Sequence, residues 1–159
     1  MTVCEDEGRS PGGVLGPWTG TISQADYEAL ALFRREVRAF MAFSQRTLEA
    51  EGVTPHQYQA MLAIQARGDR DMAIGDLAEE LHISIQSAVE LVGRMKQAGF
   101  VERTRSRKDL RRILLTLAPA GQRILPRLAG LHLAQQRANA SKFAAALHRF
   151  QNIGDAWAA

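Results

Sequence analysis

The chain has 159 residues, 20 Lys and Arg against 17 Asp and Glu, a formal net charge of +3 and 46% hydrophobic residues. Those figures suit one globular domain, or one domain with an added dimerisation arm. A content of 13 Gly, 5 Pro and 23% charged residues excludes collagen-like, disordered and coiled-coil chains, and no run approaches the roughly 18 apolar residues of a membrane span.

Residues 1–20 are rich in Gly, Pro and charge and are expected to form a flexible N-terminal extension, with Trp18 near its end. Glu5, Asp6 and Glu7 stand where a secretory signal needs a basic start and an apolar run, and Cys4 is the lone cysteine. The expectation is a cytoplasmic protein without a disulfide. From Ser23 to about Glu51 the pattern is helical. Tyr27, Leu30, Val37, Met41 and Leu48 form one apolar stripe and Leu32, Phe33, Phe40 and Phe43 a second. A helix apolar on two sides must bury both, one on its own domain and the other on a second subunit.

Thr54-Pro55-His56-Gln57 predicts a capped helix with proline in its first turn, with Met61, Leu62 and Ile64 in the core and an end near Gly68. A short helix follows from about Ile74 to Leu81. After the tight connection His82-Ile83-Ser84, Ser84 caps a helix to Ala98 whose apolar positions are Ala88, Leu91, Val92 and Met95. Two helices so joined make a helix-turn-helix. Phe100 to Arg105 and Arg112 to Leu117 are β-prone and flank a polar tip, which makes the unit a winged helix. Pro119 opens a long helical segment expected to kink at Pro126. A separate final helix is expected from about Ser141 to Ile153, with Phe143, Leu147, Phe150 and Ile153 on one stripe.

Charge is distributed unevenly along this chain. Residues 1–83 carry 7 basic and 13 acidic side chains, residues 84–117 carry 8 and 3, and residues 118–159 carry 5 and 1, giving balances of −6, +5 and +4. Arg103, Arg105, Arg107, Lys108, Arg111 and Arg112 fall close together around Asp109, a density that attracts phosphate and makes nucleic acid the first partner to consider.

Several words, in this order and spacing, resemble the MarR family of dimeric winged-helix transcription regulators: Thr54 with Gln57 and Leu62, Asp76-Leu77-Ala78-Glu79 before Leu81, Ser84 at the turn, and Leu91-Val92 with Arg94. They continue with Gly99-Phe100-Val101 and Arg103, Asp109-Leu110-Arg111, then Leu114, Leu117, Pro119 and Gly121. The fold class expected is mainly α with a small β-hairpin wing. Residues 54–117 would be the winged helix-turn-helix DNA-binding lobe, and residues 21–53 and 118–159 a helical dimerisation region. The resemblance implies a recognition helix from Ser84 to Arg94, with Gln86, Ser87, Val89 and Glu90 facing the major groove. It also implies a wing-tip Arg111 in the minor groove held by Asp109, with Arg105, Arg107 and Lys108 on phosphates. Tyr27, Leu30, Leu128, Leu131, Phe143, Leu147 and Phe150 are the expected dimer contacts. A small aromatic or phenolic acid is the implied effector, in a pocket between bundle and lobes near His56; no metal or other cofactor is expected.

Four positions make three departures from the family pattern. Glu90 puts a carboxylate on the DNA side, where it needs a cytosine amino group or Arg94 as partner, Ala73 and Ala118 replace capping Ser or Thr, and Val89 suits a thymine methyl or a neighbouring helix. His56, His82, His132 and His148 lack metal-ligand spacing, and neither a nucleophile elbow nor a phosphate loop is present, so an enzyme is not expected. A ligand-responsive repressor on a pseudo-palindromic operator is the leading reading. The alternative is a winged helix that binds protein and not DNA, as an antagonist of a related regulator.

Overall fold

The computed structural model describes residues 21–68, 71–105 and 113–151. The Ser23 hydroxyl and the Asp26 carboxylate cap each other's amides at 3.3 and 2.8 Å and start α1 (Gln24–Glu49). Thr54 and Gln57 close the expected box at 2.9 and 3.3 Å ahead of α2 (Pro55–Ala66). Ala73 has no side-chain oxygen, yet Asp76 accepts from the Ala73 amide at 2.8 Å, so half of a box survives at the start of α3 (Ile74–Glu80). His82, at a φ of 51°, takes the left-handed turn that leads to Ser84. Ser84 Oγ then accepts from the Ser87 amide at 3.1 Å and starts α4 (Ile85–Gln97).

The chain leaves α4 through Gly99, whose φ of 72° no β-carbon favours, with the Phe100 amide returned to Met95 O at 2.9 Å. It then forms β1 (Val101–Arg105), which pairs antiparallel with β2 (Ile113–Leu117) so that Arg103 lies opposite Leu115. An added pairing went unread in the sequence: Ala73 bridges Leu114, and the Leu115 amide donates to Met72 O at 2.8 Å. The segment before α3 therefore covers the second edge of β2.

The C-terminal region corrects the sequence reading. In place of a separate final helix from about Ser141, one helix, α5 (Pro119–Gln151), runs through Pro126 and through Ser141. Pro126 removes one backbone donor early in the helix, but Leu125 and Leu128 on either side are packed into the lobe and hold both turns in place. Farther on, Asn139 Nδ2 donates to Gln135 O at 3.0 Å, so its side chain bonds within the helix instead of breaking it.

One core joins Met61, Leu77, Leu91, Met95, Val101 and Leu115 of the lobe to Leu48 of α1 and Leu125 and Leu128 of α5. Beyond it, α1 and α5 run antiparallel as a two-helix arm. Glu51 meets Arg127 at 2.6 Å at one end, and the rings of Phe33 and Phe150 meet edge to face at 5.5 Å at the other. Tyr27, Leu30, Leu131 and Leu147 are exposed on this arm, with Phe143 and Phe150 half-buried. Leu128 is different. It is fully buried in its own protomer, so it is a core side chain and not a contact for a second copy; it lies one turn after Leu125, on the helix side that packs on the lobe. No described helix is long and apolar enough to cross a membrane.

Candidate nucleic-acid interface

The two sides of α4 have opposite characters. Ala88, Leu91, Val92 and Met95 are buried, which leaves Gln86, Ser87, Val89, Glu90 and Arg94 exposed on the other side, Val89 at 44%. The Ser84 and Ser87 hydroxyls lie 2.8 Å apart and are engaged in the cap. Glu90 accepts from Gln86 Nε2 at 3.5 Å, one turn back, and makes no ion pair with Arg94 among the described residues. Its carboxylate keeps acceptor capacity toward whatever faces the helix.

Beside α4, β1 carries Arg103 and the exposed Arg105. Arg103 Nη2 donates to Val89 O at 3.2 Å, across 14 residues of sequence. Arg107, Lys108, Asp109 and Arg111, the expected wing tip, lie outside the described residues.

His56 is not at the junction of bundle and lobe. It lines a cleft of about 270 Å³ with Ser87, Glu90 and Arg94, next to the exposed side of α4. The reason is helical geometry: Tyr58, two residues on, points about 200° away. It is Tyr58 that reaches the junction, where its ring stacks on His132 with centroids 4.6 Å apart and planes 19° from parallel. Phe40 and Phe43 of α1 flank the same imidazole edge-on at 6.1 and 5.6 Å. His132 Nδ1 bonds Leu128 O at 2.8 Å and its Nε2 lies 3.0 Å from Ser44 Oγ. A carbonyl only accepts, so Nδ1 carries the hydrogen, and in that tautomer Nε2 accepts from the Ser44 hydroxyl. His132 thus ties α1, α2 and α5 together. The signal was present in the sequence as the stripe of Leu125, Leu128 and His132, at spacings of three and four.

Residues 51–112 match the sequence model of the MarR family. Over these residues the lobe is similar to the MarR family. The transcriptional activatory protein BadR of Rhodopseudomonas palustris is 35% identical over 83 residues, which are 50% of this chain and 46% of that protein. A putative transcriptional regulatory protein for the hcr operon of Thauera aromatica is 31% identical over 97 residues, 61% of this chain and 57% of that one. The chain spans about half the length of the curated relatives it matches. Among solved structures, a MarR family protein from Bacillus stearothermophilus superposes with a TM-score of 0.65 at 19% identity, covering 86% of each chain. A point mutant of S. aureus MepR, bound to an oligodeoxyribonucleotide, does so with 0.61 at 17%, covering 70% of this chain and 81% of that one. At these identities the shared property is the fold.

In this lobe, Ser84, Gln86, Ser87, Val89, Glu90 and Arg94 share one exposed side of α4, with Arg105 on the adjoining strand. His56 joins them, and Arg103 is the functional candidate that the sequence reading left out of its residue roles. Among the described residues no group of His, Cys, Asp and Glu is placed to hold a metal ion.

The buried ring at the junction has a pH signature. Desolvation lifts the Tyr58 phenol above its ordinary value of 10.0. Because the folded value is the higher one, Tyr58 contributes stability that is present below the unfolded phenol value and lost as pH rises through the folded one. In an alkaline titration followed by tyrosinate absorbance, the signal missing from Tyr58→Phe should therefore appear above the normal phenol range. A missing signal centred at the normal value would contradict this burial.

Proposed function

We propose that this protein is a MarR-type transcription regulator that acts as a cytoplasmic homodimer. The reading places α4 in the major groove of each half of a pseudo-palindromic operator and the wing in the flanking minor groove. The observation that carries it is the division of α4 into a buried apolar side and an exposed side of Gln86, Ser87, Val89 and Glu90, with a basic strand alongside. The α1–α5 arm supplies the dimer contacts through Tyr27, Leu30, Leu131 and Leu147, since these exposed apolar side chains, with Met41 and Leu133 on the same arm, favour a second copy.

The regulator represses, and a small aromatic ligand relieves it. A cleft of about 360 Å³ between α2, β2 and α5, lined by Leu62, Gln65, Gln122, Pro126 and Ala129, supports this reading. Its apolar wall and two amides, with no cation, suit an uncharged aromatic better than the acid expected from the resemblance.

A titration of duplex binding against salt is the test. The log of the affinity for random duplex should fall steeply with log salt, and Arg111→Ala should weaken binding to a selected operator severalfold and reduce that slope by about 1 per site. Absence of DNA binding even at low salt favours a protein-interaction module, the reading that the uncompensated Glu90 carboxylate supports.

A further inference from the structure

Arg103 stands apart from the other basic residues of the hairpin. Its side chain does not extend into solvent but folds onto α4, where Nη2 donates to the carbonyl of Val89 at 3.2 Å. The guanidinium lies over Gly93, where even a β-carbon would come within 4.0 Å of Nη2. Its Nε is buried without a hydrogen-bond partner, the one such side-chain atom among the described residues. An orphaned buried donor lowers stability, so this placement calls for a reason other than stability.

The covalent connection between helix and hairpin supplies that reason. The hairpin leaves α4 only through Ala98, Gly99 and Phe100, at the far end of the helix from Gln86 and Ser87. The far edge of β2 is held by Met72 and Ala73, but along the length of α4 the chain connection ties β1 to the helix only at that end. Val89 lies ten residues before Gly99, about 15 Å back along the helix axis, and the Arg103 bond attaches the strand to the helix at that second point. Two attachments that far apart fix the angle between strand and helix. Val89 is also among the residues presented on the exposed side, so the attachment lies directly behind the surface that meets the bases.

We propose that Arg103 is a positioning residue which, through Val89 O, sets the angle between recognition helix and wing and thereby sequence discrimination, without itself touching DNA. This rests on the DNA-binding reading above. A protein that holds both elements in register loses little non-specific affinity when the angle relaxes, because phosphate contacts tolerate small displacements and base contacts do not.

The test uses the full chain and two probes: a duplex recovered by repeated selection from a random library with the wild-type protein, and a random-sequence duplex. Each is titrated against salt. For Arg103→Ala the ratio of selected to random affinity should fall by about tenfold, the cost of losing roughly one good base contact, with the salt slope unchanged. Arg103→Lys, which retains a donor for Val89 O, should recover part of the ratio. Arg105→Ala is the contrast, expected to lower the slope by about 1 and leave the ratio unchanged. Partial unfolding removes active protein equally for both probes, so the ratio is insensitive to it. If Arg103→Ala does not fold, Arg103→Met, which keeps the aliphatic stem over Gly93, carries the same expectation. A reduced slope with an intact ratio makes Arg103 a phosphate contact and overturns the proposal, as does an unchanged ratio. If the wild-type protein selects no sequence and binds no random duplex, the DNA-binding reading itself falls, and the proposal with it.

Discussion

Replacing Gly121 by alanine should lower the unfolding free energy by about 3 kcal/mol or more, near the upper end of overpacking effects. A β-carbon there would sit 2.2 Å from the Phe100 carbonyl oxygen and 3.1 Å from its carbon. Those are backbone atoms, and they cannot yield by changing a rotamer. The same carbonyl accepts from the Ala118 amide at 3.0 Å, which fixes the first turn of α5 against the start of β1. Relief requires α5 to move away from the hairpin, which also opens the packing of Leu117, Leu125 and Leu128. Thermal or urea unfolding measures the loss. An alanine variant within about 0.5 kcal/mol of wild type, the range of harmless surface changes, would show that the two segments do not approach so closely.

His132→Ala should cost about 3 kcal/mol, from two sources. The substitution empties a site walled by Tyr58, Phe40 and Phe43, and large-to-small changes in such sites cost about 2–5 kcal/mol. It also removes the bonds to Leu128 O and Ser44 Oγ. Leu128 O keeps its helical amide partner, so the Ser44 hydroxyl is the group left short, at about 1–3 kcal/mol or less where water enters the vacated space. His132→Phe separates the contributions: it restores most of the ring volume and none of the hydrogen bonding, so it should recover part of the loss. Equal destabilisation by both variants would assign the whole effect to the hydrogen bonds. No destabilisation by either would mean that His132 does not join the three helices.

The local grammar of the lobe was legible in the sequence because caps and stripes are short-range. Thr54 with Gln57, Ser84 before α4 and the buried set Ala88, Leu91, Val92 and Met95 are each decided by residues three or four apart. What failed depends on contacts remote in sequence. Ser141 reads locally as the start of a new helix, yet α5 continues through it from Pro119 to Gln151. The Ala73–Leu114 bridge joins positions 41 residues apart that carry no strand pattern on the α3 side. Leu128 lies on an apolar stripe that looks the same whether it faces its own core or a partner; only the position of the lobe assigns it inward.

The candidate site divides in the same way. The exposed side of α4 follows from its buried side by elimination. Which of two nearby residues, His56 or Tyr58, faces the junction depends on the rotation of α2 about its axis, and α2 offers apolar residues on several sides. Arg103 escaped notice because in sequence it is one cation among six; its fold onto Val89 is a tertiary fact.

The unbroken α5 has a mechanical consequence. Its 33 residues make a rod about 50 Å long, anchored at one end in the lobe core by Leu125 and Leu128 and lying at the other beside Phe33 of α1. Beyond Pro126 the helix has no further proline, so a rotation at its seat is carried along it. A tilt of roughly 5° at the anchored end carries the far end about 4 Å, more than the diameter of a water molecule. A small shift in the seating of α5 around Gly121 and Pro126 is therefore magnified along the whole arm.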